Sequence, residues 1–315
     1  MATQTLNVRP LDPKRPDFVG EAVGPIDLRQ ADAALVAAIE TAMDKYAVMV
    51  FHDQPFSDDD QLAFGQKFGR LEISRASVNP DRKLRFDNRL SDISNLDADG
   101  RIMAADNRKF MSSLASRMWH SDSSYKPVTS KYSMLNARVV PSWGGETQFA
   151  DMRAAYDALS PRLKARIANL SALHSQKFSR EKLGFDNFAE NERELNKPEA
   201  KPLVQVHPGS GRKTLFLAAH AGEVEGLTVP EGRMLLHDLM ELATQREFTY
   251  SHNWKVGDFV IWDNRCVMHR GREYDREEVR DMRRVTIGND ILTAEQKAAI
   301  EAQRALEESR LRKAG

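Results

Sequence analysis

Three side chains that can bind a metal ion stand out by their type and spacing. His120 and Asp122 are two positions apart in the segment WHSD, and His269 follows an apolar stretch much later in the chain. On a strand, residues two apart point to the same face with Cα atoms roughly 6–7 Å apart, so an imidazole and a carboxylate there can converge on one ion. Two histidines and one carboxylate form the facial triad of non-haem iron(II) oxygenases, whereas a zinc hydrolase is a chemical alternative. Taken singly, the His-x-Asp motif also fits a surface loop, and His269 fits a histidine at the edge of the core.

Two arginines beyond His269 indicate an anion pocket. Arg280 and Arg284 are four residues apart, so on a strand they share one face. Two guanidinium groups on an inward face are costly unless anions pair with them, and arginine can hold a carboxylate through two parallel hydrogen bonds. We therefore expect two carboxylates here, one from 2-oxoglutarate and one from a substrate. The alternative is a solvated charge run in which Arg280, Arg283 and Arg284 accompany Asp281.

The elements that would position these residues are mostly short strands. Apolar runs bounded by polar residues predict strands at 47–51, 92–95, 132–140, 147–150, 203–207, 214–218, 248–252, 259–262 and 284–287. Apolar spacing and capping residues predict helices at 31–44, 57–69, 151–173 and 229–245. Many short strands without a βαβ rhythm favour a β-sandwich or jelly roll with helices on one side.

The composition bounds the class of protein. The 315 residues are 41% hydrophobic, and 46 basic residues balance 46 acidic ones, which argues against a nucleic-acid partner bound by broad electrostatics. The single cysteine, Cys266, excludes an intramolecular disulfide and suits a reducing compartment. The first residues are not of signal-peptide type, and no apolar run approaches the roughly 18 residues of a membrane span. We therefore expect a cytoplasmic protein without a membrane partner.

The chain is predicted to form a single domain over residues 1–292. This domain includes a probable active-site loop at 73–116 and a charged insertion at 177–200. Residues 293–315 are rich in helix-forming residues and predict a C-terminal helix.

Several segments together resemble the taurine and 2,4-dichlorophenoxyacetate dioxygenase family over roughly residues 18–290. The family pattern is His-x-Asp, a distal histidine and an arginine about eleven residues beyond it, and His120, Asp122, His269 and Arg280 match it. The segments MWHSDSSYKP, FADMRAAYDALS and GDFVIWDNRCVMHRG resemble the herbicide-degrading branch most closely.

The resemblance implies a mostly β protein with flanking helices, built as a double-stranded β-helix (jelly roll). It implies Fe(II) held by His120, Asp122 and His269. It also implies 2-oxoglutarate as the co-substrate, held by Thr147 and Arg280. Stimulation by ascorbate would accompany such a centre.

The resemblance also assigns substrate-binding roles. Arg284 matches the position that meets the anion of the substrate, and Ser124, His207 and His220 lie in segments similar to the branch. For these histidines, a structural role is the alternative. The partners implied are O2 and a small anionic aromatic substrate, and the resemblance favours a homo-oligomer.

The implied reaction is hydroxylation of the carbon next to the ether oxygen of an aryloxyalkanoate. Its products are a phenol, glyoxylate, succinate and CO2. One alternative is the same chemistry on taurine, an alkyl sulfonate or sulfate, or another small carboxylate, because one arginine does not distinguish these anions. A non-catalytic metal-binding jelly roll is a further alternative, which Arg280 and Thr147 disfavour.

Overall fold

The computed structural model describes residues 4–74, 83–184 and 196–289 of the chain. The predicted C-terminal helix at 293–315 lies outside the described residues, as do parts of the predicted loop 73–116 and of the insertion 177–200.

The described chain alternates short strands with helices. The strands are β1 (Asn7–Pro10), β2 (Val19–Val23), β3 (Val48–Phe51), β4 (Ser91–Ser94), β5 (Ser130–Val139), β6 (Thr147–Asp151), β7 (Ser171–His174), β8 (Glu199–Pro202), β9 (Val204–Val206), β10 (Lys213–Leu215), β11 (Ala221–Val224), β12 (Thr249–His252), β13 (Phe259–Asp263), β14 (Val267–Gly271) and β15 (Asp281–Gly288). The helices are α1 (Ala33–Tyr46), α2 (Asp58–Gln66), α3 (Arg108–Ser113), α4 (Met152–Ala158), α5 (Pro161–Ile167), α6 (Gln176–Glu181) and α7 (Val229–Ala243).

A larger sheet runs through the centre of the molecule in the strand order β1-β2-β3-β13-β5-β15-β4. Strand β2 pairs parallel to β3, whereas β13, β5 and β15 pair antiparallel. All residues of β3 and β13 are buried, because both faces of these strands are covered.

A smaller sheet of strands β12, β6 and β14 faces the larger one. The buried layer between the two sheets takes Val260 and Leu135 from the larger sheet and Phe149 and Val267 from the smaller one. Strand β6 lies in the middle of the smaller sheet, and its Phe149 is the register partner of His269 on β14. Each sheet therefore contributes one wall of a common interior.

Helices cover the outer faces of both sheets. On the larger sheet, α1 buries Leu35, Ile39 and Met43 at helical spacing, and these side chains join a core that includes Met49 and Ile261. Behind the smaller sheet, α4 and α7 pack around Ala150 and Met268. The prediction of helices on one side only is therefore wrong, because the outer face of each sheet is apolar and each needs a cover.

The predicted helix at 151–173 is also wrong in its extent. Helix α4 ends at Ala158, and Ser160 then caps a second helix that has Pro161 in its first turn. Proline lacks the backbone N–H that a continuing helix would need, so the chain restarts there. Residues 171–174 form strand β7.

The other predicted elements are present, with bounds that differ by a few residues. The predicted hairpin is the pair β9 and β10, although β10 ends at Leu215. Sequence reasoning missed β1, β2, β8, β11, β14, α3 and α6, whose short lengths leave little periodicity to detect. The described structure is thus a sheet-rich fold with helices on both faces. Within the described ranges, every helix is too short or too polar to cross a membrane.

His174 predicts a loss of stability in mild acid. This β7 side chain is fully buried, both ring nitrogens lack a hydrogen-bond partner among the described residues, and burial and Lys201 lower its pKa to about 3. As pH falls below about 6.5, His174 takes up a proton in the unfolded chain but not in the folded protein. The free energy of unfolding should therefore fall by about 2 kcal/mol between pH 7 and pH 5. Urea unfolding of the protein and of His174→Leu at both pH values measures this.

The pH dependence should flatten by about that amount in His174→Leu. The exposed His237, replaced in the same way, should leave the slope as it is in the unsubstituted protein. Equal slopes in all three proteins would show that His174 is not the group responsible.

Candidate active site

Three buried groups converge where the two sheets meet. The ligand atoms of His120, Asp122 and His269 all lie within 4.8 Å of one another. His120 Nε2 is 3.9 Å from Asp122 Oδ1, and His269 Nε2 is 3.7 Å from Asp122 Oδ2. Two imidazole nitrogens and a carboxylate oxygen at this spacing can share a single divalent cation.

Backbone pairing brings the two histidines together. His120 and His269 form an isolated antiparallel bridge, in which each amide donates to the carbonyl of the other, at 3.0 and 2.8 Å. His120 Nδ1 lies 2.8 Å from the Met118 carbonyl. Because that carbonyl only accepts, Nδ1 carries the proton and Nε2 keeps its lone pair for a cation.

The His-x-Asp motif does not lie on a regular strand. After the bridge at His120 the chain turns, and Ser123 has a φ of 55°. The prediction that strand alternation aligns His120 with Asp122 is therefore wrong, because the turn aims the carboxylate. Glu72 holds this turn, since its carboxylate accepts from Ser123 Oγ at 2.7 Å and from Lys126 Nζ at 2.6 Å.

Four side chains surround the carboxylate of Asp122. Arg284 Nη1 donates to Oδ1 at 2.8 Å, and Ser133 Oγ donates to Oδ2 at 2.7 Å. Burial alone would raise the pKa of Asp122, but the Arg284 guanidinium holds it well below its usual value, and the hydrogen bond from Ser133 lowers it further. Burial lowers the pKa of His120 and, more strongly, that of His269. At neutral pH the site therefore offers one anionic and two neutral ligands, the protonation state that a metal ion requires.

A cavity of about 310 Å³ opens beside these groups. Its lining combines the three metal-binding side chains with cationic and apolar residues. Those that matter below are Phe110, Leu114, Tyr125, Thr147, Arg280 and Arg284. An apolar wall next to fixed cations suits a small amphipathic anion.

Arg280 is buried in this cavity without a carboxylate partner among the described residues. It is 7% exposed, and its guanidinium donates only to the Ile93 and Gly145 carbonyls, at 3.3 and 3.4 Å. Burial lowers the pKa of Arg280, so the charge is poorly compensated. A bound anion would compensate it, and Gly145 gives this side chain room, because a Cβ there would lie 3.3 Å from Arg280 Nε.

The structure brings most of the sequence-predicted residues to this cavity. Thr147, Arg280, Arg284 and His220 all line it. Thr147 begins β6, and its Oγ1 accepts from Trp254 Nε1 at 3.0 Å. His220 lies edge-on to His120 at 5.9 Å between ring centroids, and its Nδ1 lies 3.0 Å from Ser179 Oγ.

Two predicted substrate-binding residues do not reach the cavity. His207 is 1% exposed, and its ring nitrogens meet Asp263 Oδ2 at 2.9 Å and Ser210 Oγ at 3.0 Å. Ser124 is fully buried and lies outside the lining. Neither placement agrees with a substrate contact, and His207 has the structural role that was its alternative. The alternative of a solvated charge run is wrong, because Arg280, Arg283 and Asp281 are buried.

Sequence reasoning missed the residues around Asp122. Ser133, Asn264 and Trp262 form a buried hydrogen-bonded group behind it, as described below. The segment WDN at the end of β13 was visible, but its contact with residues 133 and 122 depends on strand register.

Comparisons with known proteins agree with this geometry. The chain is 49% identical over 281 residues to an alpha-ketoglutarate-dependent 2,4-dichlorophenoxyacetate dioxygenase of Cupriavidus pinatubonensis, covering 89% of this chain and 97% of the relative. It is 37% identical to the (S)-phenoxypropionate/alpha-ketoglutarate-dioxygenase of Sphingobium herbicidovorans, covering 86% and 92% of the two chains.

A solved structure is also similar. The crystal structure of AAD-2 in complex with Mn(II) and N-oxalylglycine superposes with a TM-score of 0.86 at 46% identity, covering 91% of this chain and 98% of that one. The model of the taurine catabolism dioxygenase TauD, TfdA family matches residues 7–286. A match of that length, together with relatives well above 30% identity over most of both chains, shows that this chain belongs to the TauD, TfdA family of dioxygenases.

Proposed function

We propose that this protein is an Fe(II)- and 2-oxoglutarate-dependent dioxygenase that hydroxylates the carbon next to the ether oxygen of an aryloxyalkanoate. The observation that carries this proposal is Arg280, a buried cation without a carboxylate partner among the described residues, in the same cavity as the cluster of His120, Asp122 and His269. A site for metal alone would not need such a cation. A metal centre with an anionic co-substrate does.

The three ligands fit a ferrous ion. All three line the cavity, so a bound ion would keep positions open toward it for a chelating co-substrate and for O2. A zinc hydrolase would use similar ligands, but the buried Arg280 favours a carboxylate co-substrate instead. The bound ion would supply oxygen activation coupled to the oxidative decarboxylation of 2-oxoglutarate to succinate and CO2.

Arg280 and Thr147 would hold the carboxylate of 2-oxoglutarate that is distant from the metal. A guanidinium and a hydroxyl both donate to a carboxylate, and burial strengthens these hydrogen bonds. The Tyr274 ring lies 5.5 Å from the Arg280 guanidinium and helps to fix its direction.

Arg284 is our candidate for orienting the carboxylate of the substrate. Its side chain is 20% exposed and lines the cavity, and it contacts Asp122 through Nη1. The guanidinium has further N–H groups that can donate to a second anion. Phe110, Leu114 and Tyr125 supply an aromatic and aliphatic wall for the ring. The substrate would then lie with its short side chain toward the metal.

The products follow from the position of hydroxylation. A hydroxyl on the carbon beside the ether oxygen makes a hemiacetal, which collapses to a phenol and, for an aryloxyacetate, glyoxylate. The two facing sheets, with β6 and β14 opposite β5, β13 and β15, support a double-stranded β-helix. The homo-oligomer and the cytoplasmic location stay predictions.

The decisive experiment is a substrate panel under defined conditions. Anaerobically purified protein with Fe(II), 2-oxoglutarate and ascorbate would be mixed with oxygen and one candidate: 2,4-dichlorophenoxyacetate, either phenoxypropionate enantiomer, taurine or an alkyl sulfate. We expect phenol and succinate to appear in equal amounts with an aryloxyalkanoate. Sulfite or sulfate with succinate would move the substrate to sulfur compounds, and no metal-dependent succinate with any candidate would contradict the proposal.

Replacing any one of the three ligands should abolish metal binding. In the unsubstituted protein, Mn(II) at 100 times its Kd should stabilise the fold by about 2.7 kcal/mol. His120→Ala, Asp122→Ala and His269→Ala should each lose this gain, measured as the shift of Tm with added Mn(II). His237→Ala, an exposed histidine on α7, should keep it. A full Mn(II) shift in any ligand variant would remove that residue from the centre.

Replacing Arg280 and replacing Arg284 should raise the KM of different substrates. Arg280→Gln should raise the KM for 2-oxoglutarate about 10- to 100-fold, the effect of losing a charged hydrogen bond. Arg284→Gln should raise the KM for the aryloxyalkanoate more than that for 2-oxoglutarate. Arg283→Gln is the matched control, because Arg283 pairs with Asp281, away from the cavity. The reverse pattern would mean that the two roles are exchanged.

A further inference from the structure

A buried asparagine behind Asp122 has a fixed orientation. Asn264 Oδ1 accepts from Trp262 Nε1 at 3.1 Å and from the backbone amide of Asp122 at 3.1 Å. Both of these groups can only donate, so the carbonyl end of the Asn264 amide must face them. The amide nitrogen of Asn264 therefore points the other way.

That nitrogen determines the direction of a serine proton. Asn264 Nδ2 lies 2.9 Å from Ser133 Oγ, and an amide nitrogen can only donate, so Ser133 Oγ accepts this bond. The single hydroxyl proton of Ser133 is then left for Asp122 Oδ2, at 2.7 Å. Every hydrogen bond from Trp262 to Asp122 thus has one direction only.

The side chains that form this series of hydrogen bonds are buried and come from paired strands. Trp262 and Ser133 are register partners on the neighbouring strands β13 and β5. Trp262 and Asn264 are 1% exposed, and Ser133 is fully buried. Because these side chains are buried, a lost bond would leave its partner unsatisfied, so each member depends on the others.

The arrangement leaves Asp122 little freedom to rotate. Ser133 holds Oδ2, Arg284 holds Oδ1, and Asn264 holds the backbone amide of the same residue. A carboxylate accepts about four hydrogen bonds, so lone pairs remain on both oxygens. The two histidine nitrogens lie 3.7 and 3.9 Å from these oxygens.

We propose that Asn264 and Ser133 are positioning residues that orient Asp122 for the metal ion, with Trp262 fixing the Asn264 amide. The proposal rests on the metal centre described under Proposed function. Replacing a hydrogen-bond partner of a metal ligand typically lowers metal affinity by 10- to 100-fold. Asn264 acts on Asp122 both directly, through the backbone amide, and through the proton of Ser133.

The test is a Co(II) titration of the full chain without co-substrate. Ser133→Ala and Asn264→Ala should each weaken Co(II) binding at least 10-fold and alter the Co(II) absorption bands, which report the ligand geometry. The double variant should lose less than the product of the two single losses, because part of the effect of Asn264 passes through Ser133. Ser133→Cys keeps the size and a weak donor, and should lie between Ser133→Ala and the unsubstituted protein.

Asn136→Ala is the matched control. Asn136 is a second buried asparagine and lies on β5, and its amide nitrogen donates to the Gln54 and Asp258 carbonyls at 3.3 and 3.0 Å, away from the cavity. This variant should lose a comparable amount of Tm yet bind Co(II) within twofold of the unsubstituted protein. A Tm loss without a change in Co(II) affinity is the signature of a purely structural role.

Each outcome has a distinct meaning. Folded Ser133→Ala and Asn264→Ala variants that bind Co(II) as tightly as the unsubstituted protein would overturn the positioning role. An equal weakening in Asn136→Ala would overturn it too, because it would indicate general loosening of β5. If the unsubstituted protein itself failed to bind Co(II), the metal centre would fall, and the positioning role with it. Tight Co(II) binding without succinate production would instead leave the positioning role standing and overturn the dioxygenase activity.

Discussion

The site depends on keeping one carboxylate charged inside the protein. Asp122 is 7% exposed and lies between two imidazoles that burial keeps neutral. An unpaired buried carboxylate would take up a proton and cease to be a metal ligand. The Arg284 guanidinium and the Ser133 hydroxyl offset this cost of burial. The anion is therefore present before any cation arrives.

The two sheets contribute different residues to the cavity. The larger sheet contributes Ser133 and Arg284, whose side chains donate hydrogen bonds to the Asp122 carboxylate. The smaller sheet contributes His269 and Thr147 on neighbouring strands β14 and β6. Apolar packing between the sheets fixes their separation, so the distances at the metal site follow from the core. A loosened core would therefore alter the ligand geometry without any change at the ligands.

Sequence patterns predicted those features that depend on residues close together in the chain. Helix α1 buries the apolar face that the spacing predicted, and the three metal-binding residues were found from type and spacing. The contact of Asn264 with Ser133 was not predictable, because it requires the exact register of β13 on β5. The placement of His207 was not predictable for a related reason. Its sequence segment resembled the family, but which way its ring points depends on the distant Asp263.

The backbone bridge between His120 and His269 has a consequence for the order of assembly. It joins segments about 150 residues apart, and contacts so distant along the chain form late, because closing a long loop costs conformational entropy. A nascent chain would present the His-x-Asp pair long before His269 is synthesised. A cation that needs all three ligands would therefore bind only after the two histidines have paired, so the fold must form the site without its help.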